Sequence, residues 1–139
     1  MKTNEVNRIV DVLEVVQEGK VEKINLDICL HQISINISKK HPSDNYAEKH
    51  YQLDFEGVSA FFFCNEQGDK RFNTEEWSWA ELSGAHFQEP DDDNKIHIEY
   101  IKSKEYIAVP NFYLELWSSL FGIEASAVVV DGVRYKARD

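Results

Sequence analysis

Three small groups of side chains in this 139-residue chain are of types that do chemistry. The first is His86 and His97, with Glu99 two residues further on. In "GAHFQEPDDDNKIHIEY" a hairpin with its loop at Pro90–Asp93 pairs Glu89 with Asn94. That register sets His86 opposite His97 on one face, and Phe87 and Ala85 opposite Ile96 and Ile98 on the core face. Zinc needs three or four ligands at workable spacing, and two histidines on adjacent strands fall short of that. The second group is "EPDDDN". Its run Asp91, Asp92 and Asp93 could be an acidic loop for calcium, but three contiguous carboxylates cannot converge on one ion without a sharp glycine turn. It reads as a solvated hairpin tip or as an acidic finger for a cationic partner. The third is "TEEWSWAELS", where Glu75 and Glu76 precede Trp77 and Trp79. This is either a buried turn or an acidic, aromatic face; Thr74 is a good helix N-cap and Gly84 a stop.

Catalytic signatures are missing. No Gly-x-Ser-x-Gly occurs, the six glycines form no phosphate loop, and neither Cys29 nor Cys64 sits in a nucleophile context. We expect no enzyme activity, no cofactor and no resident metal. The two cysteines lie in apolar stretches, "ICL" and "FFFCN", and read as reduced core residues of a cytoplasmic protein. The start "MKTNEVNRIV" lacks a signal-peptide pattern and no apolar run spans a membrane.

Charge narrows the partner. The net charge is −10. Residues 44–99 hold 14 acidic and 4 basic side chains, and the remainder 11 of each. Nucleic acid is therefore a poor partner, since phosphate binding needs clustered Lys and Arg. A basic protein is a better one, provided the middle segment presents its carboxylates as one docking area. Solubility alone is the competing explanation.

The elements that must position these groups are mostly strands. In "NEVNRIVDVLEVVQEG" the residues Val6, Ile9, Val10, Leu13 and Val16 recur at helical spacing, giving a helix over residues 4–18 with Gly19 as its stop. Beyond it the period drops to two. Ile24, Leu26, Ile28 and Leu30 alternate, the phase slips at His31–Gln32, and Ile33, Ile35 and Ile37 alternate again. Further strands are "YQLDF", "VSAFFFC", "NFYLELW" and "IEASAVVV", and Asp131–Gly132 turns the chain into "VRYKA". The expected class is α+β, mainly β: one domain over residues 1–139, an antiparallel β-sandwich or strongly curved sheet with one N-terminal helix.

Four segments carry a family resemblance: "KINLDICLHQISINI", "YQLDFEGVSAFFF", "ELSGAHF" and "PNFYLELWSSLFGIEASAVVVDGVRY". In the last, Asn111, Phe112, Glu115, Trp117, Ser118, Ser119, Ile123, Glu124 and Ala125 carry the likeness. Together they resemble β-rich, Bacillus-type immunity proteins of polymorphic and contact-dependent toxin systems, although an early His-Asp pair common in such proteins is missing here. The resemblance implies an inhibitor that binds and occludes a cognate basic toxin domain. The rim would be Glu75, Glu76, Asp91, Asp92 and Asp93, with Trp77 or Trp79 as anchor. Two alternatives stay open. One is a small-ligand or catalytic cleft near Tyr113, Trp117 and Tyr135, and the other a structural domain that homodimerises through a strand edge.

Overall fold

The computed structural model describes residues 2–65, 81–102, 104–116 and 119–138. Helix α1 (Lys2–Val16) buries Ile9, Leu13 and Val16, the 3.6-period stripe, against strands β5 (Leu82–Phe87) and β11 (Val133–Lys136). The residue in left-handed geometry after the helix is Glu18 (φ 71), not Gly19. Backbone bonds then fasten the helix exit to β5: Glu18 N–H donates to Leu82 O (2.6 Å) and Leu82 N–H to Gly19 O (2.8 Å).

The period-2 stretches form two antiparallel sheets around one core. The first has the order β1 (Lys20–Asp27), β2 (Gln32–His41), β3 (Ala47–Glu56), β10 (Ala127–Val130), β11. The second runs β4 (Ala60–Cys64), β9 (Ser119–Glu124), β8 (Phe112–Leu116), β5. A separate two-stranded sheet consists of β6 (Ile96–Ile101) and β7 (Lys104–Ala108). Ile33, Ile35, Ile37, Leu53, Phe55, Val128 and Val130 from one sheet meet Phe112, Leu114, Leu116, Phe121 and Ile123 from the other. Phe55 and Phe112 join the layers edge to face with ring centroids 5.0 Å apart. The mainly β class with one N-terminal helix is thus what the chain adopts.

Several local expectations need correcting. Strand β1 ends at Asp27, so Ile28 and Leu30 sit in the turn to β2 and are 71% and 69% exposed rather than in the core. The cause is Asp27, whose carboxylate accepts from Leu30 N–H (3.1 Å) and closes the turn early. The stretch "IEASAVVV" is two strands in different sheets, broken at Ala125–Ser126. Cys29 and Cys64 are both exposed and not bridged to each other. The Asp131–Gly132 turn behaves as expected, with φ 49 and 84 as a type I′ hairpin demands.

The chain changes sheet at two places that lie side by side, at Gly57–Ser59 and at Ala125–Ser126. Ser126 N–H donates to Glu56 O (2.9 Å) and Ser59 N–H to Glu124 O (3.0 Å). Gly57 has φ +60, and a Cβ there would stand 2.0 Å from Ser126 Oγ. Gly57→Ala is therefore expected to cost about 1–3 kcal/mol in urea unfolding, from left-handed strain plus the forced opening of this corner. A Ser126→Gly background, which removes the obstructing hydroxyl, should recover part of that loss.

Candidate partner-binding surface

The β6–β7 hairpin is the part of the structure that the core does not account for. It is inserted between β5 and β8, which pair with each other, and among the described residues β6 and β7 pair only with one another. Ile98 (54% exposed), Tyr100 (71%), Ile101 (48%), Tyr106 (58%) and Ile107 (54%) leave it apolar and uncovered. Large apolar side chains gathered on one projecting element mark a contact surface more than scattered ones do.

Register gives each face its character. Ile96 lies opposite Ala108 and Ile98 opposite Tyr106, which makes one face apolar. His97 lies opposite Ile107 and Glu99 opposite Glu105, so the other face is mixed, with a histidine and two carboxylates beside the exposed Ile107. His97 Nδ1 is hydrogen-bonded to Glu105. From Glu89 to Ala108 the chain carries six acidic and three basic side chains.

The acidic turn stands at the entrance to this hairpin. Asp91 is built into it: its carboxylate accepts from Asp93 N–H (3.1 Å) and its carbonyl from Asn94 N–H (2.9 Å), closing one 3-10 turn at Asp92–Asn94. Asp91 and Asp93 are exposed, while the side chain of Asp92 is outside the described set. Glu75, Glu76, Trp77 and Trp79 also lie outside the described residues, as does Trp117. The exposed aromatic side chains that the structure places on the hairpin itself are Tyr100 and Tyr106.

The remaining acids of the middle segment are divided. Glu48, Asp54 and Glu56 belong to β3 in the five-stranded sheet, and Glu56 is paired with Arg134 (2.9 Å). The backbone of Glu81 forms an isolated β-bridge with that of Lys20 beside β5. Among the described residues the acids of 44–99 thus fall partly on the five-stranded sheet and partly around the hairpin, and not in the one docking area expected.

The histidine pairing is also overturned. His86 on β5 lies opposite Tyr113 on β8, with Nε2 3.4 Å from Glu115 Oε1, whereas His97 is in the hairpin. Phe87 and Ala85 face the core, but Ile98, the expected cross-strand companion of Ala85, is exposed. Local pairing was the simplest reading of the alternation, yet the pairing of β5 with β8 satisfies the same pattern and joins β5 to the buried sheet. Tyr113, whose phenol burial pushes above its usual pKa, is in the four-stranded sheet; Tyr135 is in the five-stranded one. Several open grooves are present among the described residues. One of about 480 Å³ is lined by Glu5, Val6, Phe87, Lys136 and Arg138; one of about 430 Å³ is lined by Leu26, Ile28, Val58 and Phe61. Neither contains Tyr113 or Tyr135.

What roots the hairpin is a set of buried polar contacts at its base. Gln88 N–H donates to Asn111 O (2.8 Å), tying the strand before the hairpin to the residue after it. Asn111 is fully buried, and its amide is bonded twice to Ala125: Nδ2 donates to Ala125 O (2.8 Å) and Oδ1 accepts from Ala125 N–H (3.0 Å). The carboxylate of Glu124 accepts from Val109 N–H and from the Ser59 hydroxyl, and stands 3.8 Å from Arg138. The profile of the YxiG-like protein family matches residues 9–135, which takes in α1 from Ile9 and all eleven strands but the last residue of β11.

The chain belongs to the YxiG-like protein family. Comparison with curated proteins and with solved structures returns no match. In this YxiG-like chain the residues Asn111, Glu124 and Ala125, which carry the resemblance noted above, fasten the fold and hold the base of the exposed hairpin. Among the described residues no helix is long and apolar enough to cross a membrane.

Proposed function

We propose that the protein is an immunity protein that binds and occludes a cognate basic toxin domain, acting in the cytoplasm of the cell that makes the toxin. It works by covering a surface and not by catalysis. The observation that carries this reading is the β6–β7 hairpin, an uncovered apolar face entered through an acidic turn. Membership of the YxiG-like family supports it, since all four segments behind the resemblance lie within the matched residues.

The geometry suits a division of labour. Exposed carboxylates at Glu89, Asp91, Asp93 and Glu99 would attract a cationic protein over distances of about 8–10 Å at ordinary salt. Ile98, Tyr100 and Tyr106 would then supply the contact that keeps it, because desolvated aromatic anchors dominate residence time. A toxin that acts on nucleic acid is itself basic where phosphates bind, so carboxylates there would block it directly.

The test is binding to the toxin domain encoded beside the gene, measured by titration calorimetry across NaCl concentrations from about 50 to 500 mM. A complex whose affinity falls as salt rises is expected, together with protection of cells that make both proteins. No complex, or one indifferent to salt, would remove the proposal.

A further inference from the structure

We infer that β7 is an edge onto which the partner adds a β-strand, turning the two-stranded hairpin into a three-stranded sheet. This rests on the reading of the hairpin as a docking surface and specifies how docking occurs.

Two strands alone, exposed on both faces, are marginally stable in water, and a third strand is the usual remedy. The hairpin offers two outer edges, and they differ. The register of β6 shifts between Glu99 and Ile101, leaving Tyr100 without an opposite residue. Such a bulge interrupts the even spacing of outward amides and blunts that edge. Strand β7 has no such break. Lys104 to Ala108 contains no proline, and Lys104 to Ile107 are exposed. An incoming strand therefore finds a regular ladder only on β7.

The faces of β7 specify the partner. Tyr106 and Ala108 share the apolar face with Ile98 and Ile96, and Glu105 and Ile107 share the other with Glu99 and His97. Glu99 and Glu105 stand directly opposite each other, a like-charge pair that destabilises an antiparallel ladder, and His97 is bonded to Glu105. A neighbouring strand would gain most by placing an apolar side chain beside Tyr106 and a Lys or Arg beside Glu105. The partner segment is thus a strand of a basic protein in which Lys or Arg alternates with Val, Ile or Leu. Main-chain bonds would give it affinity and the alternation its register.

The experiment uses the full chain and an acetylated, amidated octapeptide of alternating Val and Lys, followed by amide hydrogen exchange. Slowed exchange across Lys104–Ala108 is expected. The same peptide N-methylated at two adjacent central residues keeps its charge but cannot extend a ladder there; it should bind about tenfold more weakly or worse. Equal binding of the methylated peptide overturns the proposal. So does protection confined to β6 or to other strands, or self-association of the chain through β7 in the absence of peptide. A parallel arm with the neighbouring toxin domain separates the two readings. Toxin binding with β7 amides unprotected leaves the docking reading standing and ends strand addition. Peptide protection of β7 without toxin binding supports the edge and ends the immunity reading.

Discussion

Asn111→Ala is expected to lower stability by about 2–5 kcal/mol, the largest effect of any single substitution considered. Truncation leaves the N–H and C=O of Ala125 without their partners in a region where both residues are fully buried. Each orphaned buried backbone group costs roughly 1–3 kcal/mol, and no water reaches them without opening the layer. For a chain of this size that corresponds to a fall in Tm of roughly 6–20 °C. Asn111→Asp separates the two bonds. It keeps the acceptor for Ala125 N–H but sets a carboxylate against Ala125 O, so it should be no better than alanine and worse at neutral pH than in acid. Chemical denaturation of both variants checks this, and a loss below about 0.5 kcal/mol for alanine would mean that the side chain is not a latch.

The same latch links stability to the proposed docking surface. Asn111 O receives Gln88 N–H, and Glu124 receives Val109 N–H, so both ends of the hairpin insertion are held at one point on the core. An element that lacks a hydrophobic face of its own against the core must be positioned from its base. This explains why an amide and a carboxylate lie in an apolar sandwich here: they replace backbone ladder bonds where the chain leaves one sheet and enters the other. The buried polar residues of "PNFYLELWSSLFGIEASAVVV" are thus part of the scaffold, and the partner would touch what they support.

Much of this scaffold was readable from residue spacing. The stripe Ile9, Leu13 and Val16, the alternation of Ile33, Ile35 and Ile37, and that of Phe112, Leu114 and Leu116 each name a buried face correctly, because burial on one side imposes a period. The Asp131–Gly132 turn was readable because few residues accept two consecutive positive φ angles. The hairpin was not. "IHIEYI" alternates as well as any core strand, and alternation reports which side chains share a face without reporting whether anything covers it. Its partner strand is not legible either. Sequential strands pair more often than not, and the exception here is that β5 skips the whole β6–β7 insertion to reach β8. The proposed docking surface is therefore hidden in residues that look like core. Asp91 and Asp93 were visible only because their charge cannot be buried.

Charge reversal at Glu89, Asp93 and Glu99 together should slow association with the basic toxin domain by about 10- to 100-fold at low salt, with little change in dissociation. These three are chosen because Asp91 closes the acidic turn and Glu105 is bonded to His97, so their loss would disturb the hairpin as well as its field. Glu48→Lys with Asp54→Lys on β3 supplies the comparison: charge altered in another sheet acts only through the long-range field, which salt screens beyond about 8–10 Å. At physiological ionic strength the β3 variant should bind nearly as fast as the parent, and the hairpin variant should remain slow. Tyr106→Ala should do the reverse of the charge changes, leaving association alone and raising the dissociation rate about tenfold or more, as loss of a desolvated aromatic anchor does. Stopped-flow association and surface-based dissociation measure the two rates independently. If reversal of the hairpin charges left association unchanged while reversal on β3 abolished it, the partner would be reading the five-stranded sheet, and the hairpin would lose its role.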